Sequence, residues 1–217
     1  MVTNEIKFIM FGAMNTDTKI TLSAKELDLV CNIDWILTKH TIIQKVFTLF
    51  GMEVAKMQQI VAVQLPSLAR IINEHDPKIT KGENYEKLPY VILDYPRCFQ
   101  KEKTLAIRTM FWWGHFFSIH LQLTGSHKSV AIPALRKHFR TLKNGGYAIG
   151  IGEDPWEHHF GAANYLPLQN CSEEKFIAII EGGSFVKIGK MLPLSQWDSV
   201  TTFIEDAFWE LTELLKD

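Results

Sequence analysis

The fold turns on residues 109–123, TMFWWGHFFSIHLQL, where Phe111, Trp112, Trp113, Phe116 and Phe117 crowd around Gly114 together with His115 and His120. Glycine at the first central position suits a two-residue type II′ turn, so Gly114-His115 predicts a hairpin. Pairing about that turn opposes Trp113 to Phe116, Trp112 to Phe117, Phe111 to Ser118 and Arg108 to Leu121. One face then carries Arg108, Met110 and Trp112 with Phe117, Ile119, Leu121 and Leu123, and reads as core. The other carries Ile107, Thr109, Phe111 and Trp113 with Phe116, Ser118, His120 and Gln122, aromatic near the turn and polar further down. A slip of one residue exchanges these sets, because side chains alternate faces with period two.

On this pairing Arg108 lies among apolar side chains and needs a carboxylate, since an unpaired buried charge is too costly to keep. Asp94, in ILDYPR, and Glu153 are the candidates. Asp94 is taken as the structural ion-pair partner.

Downstream, SVAIPALRKHFRTLKNGG reads as a helix with Leu135, Phe139 and Leu142 on one face and Asn144-Gly145-Gly146 as its stop. YAIGIG predicts a strand. FIAIIEGGSFVKIG predicts a second hairpin about Gly182-Gly183, over about 176–190, with Ile177 and Ile179 opposite Ile188 and Val186. The final helix is expected from near Ser195, turning Val200, Ile204, Ala207, Leu211 and Leu214 inward.

Upstream, EIKFIMF at 5–11 suits a short strand or an extended arm. SAKE predicts a capping box, with Ser23 and Glu26 satisfying each other's backbone N–H groups. Ile43, Val46, Phe47, Phe50, Val54, Met57, Val61 and Leu65 recur at spacings of three and four, the stripe of a long amphipathic helix that Pro66 interrupts. The polar segment NEHDPKITKGENYEKLP reads as a surface loop. The expected architecture is α+β: a mainly antiparallel sheet built from hairpins at about 105–124 and 176–190, with an N-terminal helical region and a C-terminal helix packed on it. The chain is read as a single domain over 1–217, in which a helical subdomain at 20–74 can join an α+β core at 89–217 through a polar loop at 75–88.

Of 217 residues, 23 are basic and 24 acidic, for a formal net charge of −1. No global field draws in nucleic acid or an anionic membrane, and neither is an expected partner. The basic stripe of Arg136, Arg140 and Lys143 reads as a solvated helix face. The opening MVTNEIKFIMFGAMN has one lysine before a four-residue apolar run, short of a secretory signal, and no stretch is expected to approach the ~18 apolar residues of a membrane span. Cys31, Cys98 and Cys171 form no C-x-x-C pair and are expected as thiols in a reducing cytoplasm.

The chemistry-bearing segment besides the hairpin is GEDPWEHHFGAANY, a predicted loop after the YAIGIG strand. Glu157, His158 and His159 are metal-ligand types, and His120 within reach of them would complete a set, but no H-E-x-x-H or H-x-H spacing is present. Ser118 and His120 share a face at a separation long for a nucleophile and its base. GIGEDP lacks the third glycine of a dinucleotide fingerprint, and GSFVKIGKM has the wrong spacing for a phosphate-cradling loop. The preferred expectation is a cytoplasmic protein that binds a small ligand or a protein partner through an aromatic and histidine surface: Phe111, Trp113, Phe116 and His120, closed by Trp156, His158 and His159. No cofactor is expected. The alternatives are a metal-assisted hydrolase or oxidoreductase using His120, Glu157, His158 and His159, and a homo-oligomeric structural protein.

Overall fold

A computed structural model describes residues 20–100 and 102–216; the arm expected at 5–11 lies outside them. The chain divides between Thr41 and Ile42 into two compact units. In the first, α1 (Ala24–Cys31) opens on the capping box: Ser23 N–H donates to the Glu26 carboxylate at 2.7 Å, and Glu26 N–H donates to the Ser23 hydroxyl at 3.3 Å. No described residue before Thr41 is buried, and Leu27, Val30, Ile33, Trp35 and Leu37 are exposed.

The second unit is α+β. α2 (Ile33–Gln64) contributes Ile43, Val46, Phe50, Met57 and Val61 to its core, the stripe its spacing predicts. By length and composition this helix is long and apolar enough to cross a membrane, where the sequence reading expected no such stretch. The sequence has no uninterrupted apolar run of that length. After Pro66 a short α3 (Ala69–Ile72) leads into the sheet.

Seven strands follow: β1 (Lys78–Tyr85), β2 (Leu88–Gln100), β3 (Lys103–Trp112), β4 (Phe116–Thr124), β5 (Ala148–Gly150), β6 (Tyr165–Pro167) and β7 (Phe185–Pro193). They form one antiparallel sheet in the order β1-β2-β3-β4-β7-β5-β6. Four helices complete the unit: α4 (Gly125–Lys137), α5 (Phe139–Asn144), α6 (Glu173–Gly182) and α7 (Val200–Glu213). The α4–α5 segment read as one helix breaks at His138. A 3-10 segment, Leu194–Ser199, precedes α7, so the helix starts five residues later than expected.

Three elements depart from the sequence reading. Residues 78–85, within the expected loop at 75–88, form edge strand β1, whose charged and polar side chains suit an exposed sheet edge. Residues 176–190 form no hairpin. Ser172 caps α6 by accepting from Lys175 N–H at 3.2 Å, Phe176 and Ile180 bury one helical face, and Gly182-Gly183 ends the helix before β7. The hairpin at 105–124 is present, but its register is one residue away from the expected one: Trp112 opposes Phe116 and Arg108 opposes His120. Its loop is Trp113-Gly114-His115, with Gly114 at φ +78°.

That third residue in the turn follows from burial. Opposed residues of an antiparallel pair share a face. The observed register puts Leu105, Ile107 and Phe111 with Phe117, Ile119, Leu121 and Leu123, and all seven join the core formed by α2 and α4 to α7. The expected register would have forced a choice: Arg108, Met110 and Trp112 under the helices beside Phe117 and Ile119, or Ser118, His120 and Gln122 there beside Ile107 and Phe111. Segregating polar from apolar side chains outweighs the local preference of Gly-His for a two-residue turn.

Candidate functional site

The face away from the helices carries a row of chemistry-bearing side chains: Asp94 on β2, Arg108 on β3, and Ser118 and His120 on β4, with Gly189 on β7 beside His120. Arg108 binds Asp94 through two parallel hydrogen bonds, Nε to Oδ1 at 2.7 Å and Nη2 to Oδ2 at 2.9 Å. Its remaining Nη1 donates to Nε2 of His158 at 2.8 Å. A guanidinium only donates, so His158 carries its proton on Nδ1. That buried nitrogen has no hydrogen-bond partner among the described residues.

His120 is enclosed between two hydroxyls, Tyr165 at 2.7 Å from Nδ1 and Ser118 at 2.9 Å from Nε2. Its ring lies where a Cβ on residue 189 would stand 2.5 Å from Nδ1, so only glycine there admits it. The His120 and His158 rings are 5.0 Å apart.

The segment 151–164, between β5 and β6, covers this row and is pinned from three sides. Asn164 donates to the carbonyls of Glu157 at 3.0 Å and His159 at 2.7 Å. The Tyr85 hydroxyl accepts from the N–H groups of His158 at 2.6 Å and His159 at 2.9 Å. Lys187, buried on β7, donates to the carbonyl of Pro155 at 2.8 Å and to that of Glu157. Burial, then the nearby Arg108 charge, lowers the Lys187 amine to about 7. Burial also pushes both His120 and His158 well below the ordinary histidine value, and the Lys187 and Arg108 charges push the same way. These imidazoles are therefore neutral in the folded protein.

Nearer the hairpin turn the same face becomes aromatic. Ile92, Met110, Trp112 and Phe116 form a second, smaller cluster with Phe160 packed against it. Trp112 meets Phe116 edge to face at 5.3 Å, and Phe116 meets Phe160 likewise at 5.5 Å. His115 stacks on Trp112 at 3.6 Å. These rings and His159 line an open cleft of about 590 Å³, completed by Glu86, Met191 and Gly161.

No protein-family model, curated protein or solved structure matches the chain.

The residues singled out in the sequence are therefore divided. Phe116 lines the cleft, and His120 and His158 lie together behind it. Phe111 and Trp113 belong to the opposite face, packed against each other at 6.1 Å, with Trp197 on Phe111. The register shift separates them from His120. Trp156 stands apart from the cleft, under the Arg108 guanidinium at 5.3 Å. Glu157 reaches His159 at 3.5 Å. Among the described residues, no three histidine, cysteine or acidic side chains are grouped to hold a metal ion, so His120, Glu157, His158 and His159 do not converge.

Sequence reasoning passed over Tyr85, Tyr165, Lys187, Phe160, Glu86 and Met191. One of these leaves a trace: in FVKIG, Lys187 alternates with Val186 and Ile188, which places a lysine inside a strand on the face away from the helices.

Proposed function

We propose that the chain is a cytoplasmic small-ligand-binding protein whose ligand sits in the cleft between Trp112, Phe116, Phe160 and His159. The observation that carries this reading is a cleft of about 590 Å³ walled by rings that edge-to-face contacts hold in place. Its size lies in the range of about 300–1,000 Å³ common for small-molecule sites. Aromatic walls with imidazole and carboxylate groups at hand offer large contact area and a few directed hydrogen bonds. Three free cysteines, two of them buried, fit a reducing compartment.

Binding is favoured over catalysis by how the nearby titratable groups are used. Both His120 nitrogens have partners, Nε2 of His158 is taken by Arg108, and Lys187 holds backbone carbonyls. These groups serve the architecture behind the cleft instead of converging on an open position.

The test is a screen of aromatic and heteroaromatic fragments by protein NMR. Hits are expected to compete for one site and to shift the Trp112 indole and His115 signals, and Phe160→Ala is expected to weaken them at least tenfold. Fragments that scatter over the surface, or bind the folded Phe160→Ala variant unchanged, would overturn the reading.

A further inference from the structure

We infer that the ligand class of this cleft is an organic cation, an alkyl- or arylammonium group with apolar substituents; the inference rests on the binding reading above. The lining is unbalanced in charge. It contains the Glu86 carboxylate, the Met191 thioether, the rings of Trp112, Phe116 and Phe160 and the imidazoles of His115 and His159, and no lysine or arginine among the described residues lines it. The cations buried behind the cleft are committed elsewhere, Arg108 to Asp94 and His158 and Lys187 to the carbonyls of the covering segment, and Lys87, beside Glu86 in its turn, does not line the cleft.

Aromatic faces carry negative potential and attract a cation placed over them, most strongly where water is partly excluded. Rings set at 77° and 81° to one another present faces and edges in different directions, which suits a rounded ammonium group better than a single flat platform does. Glu86 supplies the opposite charge at the exposed side. It stands in the two-residue turn joining β1 to β2, at φ 48°, with Tyr85 opposite Leu88. An anion in the same place would meet the carboxylate and the negative ring faces with no lysine or arginine to compensate. The thioether of Met191, half exposed on β7, is a polarizable wall for the alkyl groups.

The test uses one phenyl ring in three charge states, benzyltrimethylammonium, benzyl alcohol and benzoate, titrated into the full chain with NMR as the readout. Benzyltrimethylammonium is expected to shift the cleft signals and to bind at least tenfold tighter than the other two. Glu86→Gln keeps the turn and the side-chain shape. It is expected to weaken the ammonium probe about fivefold, the size of an exposed charge pair, and to leave benzyl alcohol unchanged. Benzyl alcohol or benzoate binding in the cleft as tightly as the cation would overturn the cation inference while leaving the binding reading standing. If none of the three moves the cleft signals, while fragments of the earlier screen do, the cation inference alone fails; if neither set does, both fail.

Discussion

Arg108 shows how one misplaced charge organises its surroundings. A guanidinium in a strand between Ile107 and Thr109 has few stable solutions, and two parallel hydrogen bonds to Asp94 are the strongest of them. Both side chains are largely shielded from water, so removing the carboxylate leaves an uncompensated charge. Asp94→Ala is expected to destabilise the protein by about 3–5 kcal/mol, measured by denaturant unfolding. A loss within about 0.5 kcal/mol would show that the pair contributes nothing to stability. The need for a carboxylate is legible in the sequence, because a charge in an apolar strand demands one. That His158 would take the remaining Nη1 is not, since it depends on where a fourteen-residue connection returns to the sheet. Tyr165 was equally hidden, a lone tyrosine in a three-residue strand, whereas Lys187 showed its place between Val186 and Ile188 but not the carbonyls it holds.

At the scale of elements, the covering segment 151–164 owes its position to groups that must stay neutral or paired. In the unfolded chain, His120 and His158 take up protons below about pH 6.5, whereas burial keeps them neutral when folded. The unfolded state then binds more protons, so stability falls as pH drops through that value. The slope is up to about 1.4 kcal/mol per pH unit for each imidazole. Lys187, held to about 7 when folded, adds a slope of the same sign only above that value, where the unfolded chain keeps a proton that the folded one has lost; well below it the amine is protonated in both states. Unfolding measured from about pH 6.5 to about pH 5, below the Lys187 window, should show the fall, and His158→Gln should make it shallower. An unchanged slope in that variant would sink the assignment. The element boundaries were readable where local chemistry was unopposed, as in the Ser23–Glu26 capping box. They were misread where burial overrode it. Gly182-Gly183 can turn a hairpin or stop a helix, and Ser172 with the four-residue spacing of Phe176 and Ile180 selects the helix. Gly114-His115 favours one turn length, yet the face that Phe117, Ile119, Leu121 and Leu123 must share selects the other.

At the scale of the whole molecule, the α+β class and the antiparallel sheet follow from helices at both ends and alternating strands between them. Edge strand β1 escaped because KITKGENY has the composition that a loop and an exposed sheet edge share. The strand order itself has a consequence in time. Strands β1 to β4 pair in chain order, each with the next, whereas β7 must enter between β4 and β5 after a long excursion through α4, α5 and α6. Closing that long loop costs chain entropy before any long-range contact rewards it. The Arg108–Asp94 pair and the Ser118 partner of His120 lie within the early meander; the Tyr165 partner of His120, the clamp from Lys187 and the Met191 wall of the cleft all join the sheet with the late strand. Pulsed hydrogen exchange during refolding is expected to protect β2 and β3 amides before those of β7, and simultaneous protection would contradict it. Trp112, His115, Phe116 and Glu86 thus wait in the early meander for Phe160, His159 and Met191, and the chain presents a whole cleft only once it has finished folding.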